Sequence, residues 1–132
     1  MIWIRIFLLS LALTLAAECF LAWVLGLRTR KDQSLVVLVN LLTNPAVIYL
    51  SLLGSRFVGP SGRGWVLIGL ETAAVLTEAF VYSRWLDWDQ LPACTVAGRL
   101  GRIRPGRAAV ALSLILNAGS YGAGELLELV LS

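Results

Sequence analysis

Glu71-Thr-Ala-Ala-Val-Leu-Thr-Glu78-Ala-Phe-Val-Tyr82 lies in the middle of an apolar run from Trp65 to Leu86, long enough to cross a bilayer. Seven residues separate the two glutamates, and four more lead to Tyr82. At about 100° per residue, all three fall within roughly 40° of one line along a helix. Ionisable groups at membrane depth are costly and usually face a bundle interior or a wet cavity. The stretch therefore predicts an all-α membrane protein in which further helices surround an acidic stripe.

Composition agrees. Of the 132 residues, 58% are hydrophobic and 14% are charged, against about 25% charged in soluble domains. One domain with lipid as its solvent is expected. The absence of histidine excludes a histidine-based triad, haem ligand or imidazole metal site. Cys19 and Cys94 form no CxxC motif, so neither a structural disulfide nor a zinc site is expected. No cofactor and no nucleic-acid partner is expected, and catalysis finds little support without a nucleophile-base pair or a glycine-rich phosphate loop.

Working outward, four apolar runs predict a polytopic four-transmembrane-helix bundle with spans near residues 2–27, 34–53, 65–86 and 108–131. The first is too long for a signal-peptide core, and Ala16-Ala17-Glu18 makes a poor cleavage site, so it reads as a retained helix. Pro45 in the second removes a backbone donor and predicts a kink. Residues 90–107 read as the longest loop. Eight of the eleven Lys and Arg lie in the loops around 28–33 and 87–107 or flank them, which places those loops in the cytoplasm of a bacterial inner membrane and both termini outside.

Helix rise converts sequence position into depth. Glu18, Asn40, Glu78 and Asn117, one from each predicted helix, fall roughly 4–5 Å to the cytoplasmic side of their span midpoints. Asn44 and Ser120 lie close to the midplane. Glu71 and Glu125 form a second pair roughly 6–8 Å to the outer side, through which the interior is expected to open. Asparagines in membrane helices also serve simply to hold neighbouring helices together. Glu18 and Glu78 resist that reading, because a charged group costs about 2.5–3.5 kcal/mol at a helix centre, and no lysine or arginine lies at their depth. They must be protonated, share a proton or bind a cation.

The candidate ligand-binding set is Glu18, Asn40, Thr43, Asn44, Glu71, Glu78, Tyr82, Asn117 and Ser120. Its carboxylate, amide and hydroxyl oxygens suit a proton or a hard cation better than a soft metal. They also suit a small polar or cationic solute, with Tyr82, Tyr121 and Trp23 as ring contacts. Ala118, Ser120, Gly122 and Gly124 make two small-xxx-small pairs, a candidate homo-oligomer interface.

Arg28-Thr-Arg-Lys-Asp, Leu38-Val-Asn40-Leu-Leu-Thr-Asn44-Pro45, the Glu71, Glu78 and Tyr82 set, and Ser113-Leu-Ile-Leu-Asn117-Ala-Gly-Ser120-Tyr-Gly-Ala-Gly124 together resemble a family of small, uncharacterised bacterial four-helix integral membrane proteins. The resemblance spans most of the chain from Glu18 onward. It implies that these polar positions belong together, and it implies no activity.

The expected function is that of a small transporter or channel-like protein that binds or moves a proton, a hard cation or a small polar solute through a buried Glu/Asn site. The alternatives are an accessory subunit of a larger membrane complex and an intramembrane enzyme acting on lipid.

Overall fold

The computed structural model describes the backbone of residues 2–54 and 56–131, and the side chains of residues 4–122 other than Ile6, Ser55, Pro60 and Ile103. Its helices are α1 (Ile2–Leu25), α2 (Arg30–Gly54), α3 (Arg63–Trp85), α4 (Val96–Ile103) and α5 (Pro105–Leu131). Single 3₁₀ turns at Pro60–Gly62 and Trp88–Gln90 lie before and after α3.

The helix ends follow local chemistry. Helix α1 stops because Gly26 takes φ +118°, a conformation that costs glycine little and other residues more. The amide of Leu27 then reaches back to the Ala22 carbonyl at 2.9 Å, and that of Gly26 to the Trp23 carbonyl at 3.2 Å. A side chain at Gly26 would also collide with Thr95. Helix α2 begins four residues before the expected span at 34, since Thr29 accepts the Asp32 amide at 3.1 Å and donates to the Asp32 carboxylate at 2.7 Å. This reciprocal cap satisfies a first-turn donor and anchors the helix start.

Four long helices form a closed ring in the order α1, α2, α3, α5, each packing chiefly against its two neighbours. The wall-facing sides are apolar and exposed, with Leu9, Phe20, Leu42, Ile68, Phe80 and Leu114 among them. This is the pattern of helices solvated by lipid, where the outer surface needs no polar coat.

The expected count of four membrane spans is corrected to three among the described residues: Phe7–Leu25, Arg30–Gly54 and Arg63–Trp85 are long and apolar enough to cross a bilayer. These make the chain a helical membrane protein. The expected fourth span lies in α5, whose 27 residues suffice in length. Its described side chains end at Gly122, and that part, which carries Arg107, Ser113, Asn117 and Ser120, is not among the three. Glu125, Glu128 and Gly124 fall outside the described side chains.

Helix α2 runs as one element through Pro45, as the expected span 34–53 does. One further expectation changes. The expected loop 90–107 contains α4, which Thr95 caps by accepting the Gly98 amide at 3.2 Å. Buried Ala97 lies on α4. A side chain at Gly101 would collide with Trp88, so this short helix approaches the 3₁₀ turn closely.

Candidate functional site

The ring encloses a polar cluster built from all four long helices. Glu78 on α3 is its centre and has no solvent exposure. Three neutral groups from two neighbouring helices address its carboxylate. Thr43 Oγ1 of α2 lies 2.9 Å from Oε1, Ser113 Oγ of α5 lies 2.7 Å from Oε2, and Asn117 Nδ2 of α5 lies 2.5 Å from Oε2. Ser113 and Asn117 are four residues apart, one helical turn, so α5 presents both to the same carboxylate.

Counting protons shows what this arrangement can do. The single Thr43 hydroxyl proton faces two acceptors, Glu78 Oε1 and the Val39 carbonyl at 3.1 Å. If Glu78 is ionised, Thr43 donates to it. If Glu78 is protonated on Oε1, it donates to Thr43, which turns its own proton to Val39. Ser113 has a similar second acceptor in the Val75 carbonyl at 3.3 Å, and Asn117 in the Ser113 carbonyl at 3.0 Å. The same heavy-atom positions thus serve the acid and the carboxylate, because hydroxyls can donate or accept by rotation alone.

Glu18 on α1 faces the same interior. It too has no solvent exposure. Ser120 Oγ lies 3.0 Å from its Oε1. Helices α1 and α5 pack together here, with the tip of the Leu21 side chain resting on Gly119. Glu18 Oε2 and Tyr82 Oη are buried without a hydrogen-bond partner among the described residues. Glu18, Glu78 and Tyr82 lie close enough for each carboxylate to act on the other two groups electrostatically.

On α2, Asn44 donates to Asn40 Oδ1 at 3.3 Å, and Asn40 donates to the Val36 carbonyl at 3.1 Å. Asn40 is wholly buried and adjoins the Glu18 carboxylate. The two asparagines therefore line the α1 side of the interior, while Thr43 turns to α3.

Glu71 does not join the cluster. It is exposed and lines an open groove of about 490 Å³ between α3 and α5. Asn117, which holds Glu78 from within, also lines this groove. Ser113 went unmarked in the expected site, although its spacing from Asn117 was the available signal. Of the candidate interface, Ser120 is committed to Glu18 inside the chain, Ala118 is exposed, and a side chain at Gly122 would meet nothing.

Among the described residues, no group of three or more Asp, Glu or Cys side chains is placed to hold a metal ion. No protein-family model, curated protein or solved structure matches this chain. The reading of the site rests on its own chemistry.

Proposed function

We propose that this protein is a small transporter or channel-like protein of a bacterial inner membrane that loads and releases a proton, and with it a cation or small polar solute, at Glu78. The carrying observation is the Glu78 cluster. A wholly buried carboxylate meets only neutral donors, in a geometry that serves it with and without a proton. Buried ionisable groups inside membrane helices commonly mark proton or ion pathways. Glu18 supplies a second wholly buried carboxylate at the same interior.

The residues gathered here, Asn40, Thr43, Asn44, Glu78, Ser113, Asn117 and Ser120, are those of the motifs that resemble the bacterial family. Their convergence on one interior supports treating those motifs as a single functional unit. In the proposed orientation the arginine-rich residues 87–107, including α4, lie on the cytoplasmic face.

The test is proton and cation flux into proteoliposomes across a pH series, for the wild type and Glu78→Gln. The amide is nearly isosteric but cannot take up or release a proton in this range. Wild-type flux above empty liposomes should fall to background in Glu78→Gln. Folded wild-type protein that passes neither protons nor any cation tried would sink this reading and favour an accessory subunit or a lipid-acting enzyme.

A further inference from the structure

The groove between α3 and α5 opens sideways on the surface that faces lipid. Leu67, Val75, Leu114 and Ala118 supply apolar walls, and Glu71 and Asn117 supply polar groups. Asn117 turns its amide nitrogen inward to Glu78 and Ser113, so the carbonyl oxygen at the other end of the amide, which accepts no hydrogen bond from the described residues, is the end that can accept from a ligand. Tyr121, with its ring largely exposed, adds an aromatic surface to the lining. The carboxylate, the amide carbonyl and the ring face suit positive charge, and the Thr72 hydroxyl in the same lining donates to its own helix at the Ile68 carbonyl, 2.7 Å away. Among the described residues no arginine or lysine lines the groove.

From these features we infer that the groove is a binding site for a small amphiphilic amine, its ammonium on Glu71 and Asn117 and its apolar body along α3 and α5. Size argues for a small molecule. The volume of about 490 Å³ falls within the range of roughly 300–1,000 Å³ typical of small-ligand pockets. Among the described residues the lining runs from Leu67 to Val75 on α3 and from Leu114 to Tyr121 on α5, about 12 Å or less along each helix at 1.5 Å per residue, a length that suits a small molecule lying along the two helices.

Depth argues against a lipid headgroup. Glu71 lies inside an apolar span, below the interface where headgroups reside. An ammonium carried on an apolar body can reach it sideways from the hydrocarbon, and it would meet a carboxylate that otherwise stands costly and exposed there. As a route to Glu78 through Asn117, the groove rests on the transport reading. As a binding site, it does not.

The probe is monodansylcadaverine, a fluorescent primary amine, titrated against protein in phosphatidylcholine nanodiscs with empty discs subtracted. Its N-acetylated, uncharged form is the control. Three results are expected: saturable binding of the amine, at least roughly tenfold weaker binding of the acetylated form, and a similar loss in Glu71→Gln. Leu114→Trp, which fills the groove from an exposed position, should abolish binding while leaving the protein folded.

Binding no greater than in empty discs would overturn the assignment. So would equal affinity for the two probes, or Glu71→Gln binding as the wild type does. Displacement of the amine by phosphatidylethanolamine incorporated in the discs would overturn the choice of a small amphiphile over a lipid. Flux without amine binding removes the groove and keeps the transport reading, whereas amine binding without flux keeps the groove and removes transport.

Discussion

Glu71 and Glu78 are the same residue type, about two turns apart on one side of α3, yet their surroundings are opposite. Glu78 is sealed in the ring and has three hydrogen-bonding groups drawn from α2 and α5. Glu71 is exposed in an open groove that it shares with aliphatic side chains, Asn117 and Tyr121. Helix α3 treats them alike; the neighbours do not. At the level of Glu78, α5 presents Ser113 and Asn117 and α2 presents Thr43. Beside Glu71 the groove presents Leu114, Ala118 and Tyr121 of α5, while Asn117 turns its amide nitrogen inward to Glu78. A carboxylate is held in a membrane interior only where other helices bring polar groups to it.

The comparison can be broken by stability measured as reversible unfolding in detergent. The largest expected effect is Glu78→Ala, at about 2 kcal/mol, from the space left behind and three lost hydrogen bonds. The loss stays near that value because Thr43, Ser113 and Asn117 each keep a second acceptor. A neutral Glu78→Ala would show that the cluster contributes nothing to the fold.

Asn117→Ala comes next, at about 1 kcal/mol, within the span measured for hydrogen bonds between membrane helices. Combined with Glu78→Ala, its effect should be less than additive, since both remove one contact; strict additivity would deny the pairing. Ser120→Ala removes the hydrogen bond to Glu18 and should cost about 0.6 kcal/mol. A cost equal to that of Glu78→Ala would make Glu18 the true centre. The smallest effect belongs to Glu71→Ala, which should stay within about 0.5 kcal/mol of wild type. A Glu71→Ala variant as unstable as Glu78→Ala would erase the distinction between the two sites.

Much of the cluster was readable from spacing and depth. Glu18, Asn40, Glu78 and Asn117 stand at matching depths in their helices, and the structure brings them to one interior. Helical periodicity placed Glu71 on the same side of α3 as Glu78, but periodicity says nothing of how much a neighbouring helix covers. That is why Glu71 stayed outside. Ser113 stood in the resembling motif but outside the expected site, because an isolated serine in an apolar helix carries no cost that demands explanation. Only the arrival of Glu78 opposite it makes it a partner. The cap at Thr95 that starts α4 sits in a stretch rich in arginine and glycine, where charge and turn residues masked an eight-residue helix.

The sequence by itself determined that this chain lives in a membrane and that carboxylates lie at hydrocarbon depth. Both follow from local properties, namely runs of apolar side chains and a fixed rise per residue. The tertiary structure alone decided which carboxylate is enclosed, which is left in the groove, and which serine and asparagine answer Glu78. Hydrogen bonds across helices depend on the rotation and closeness of neighbours far apart in sequence.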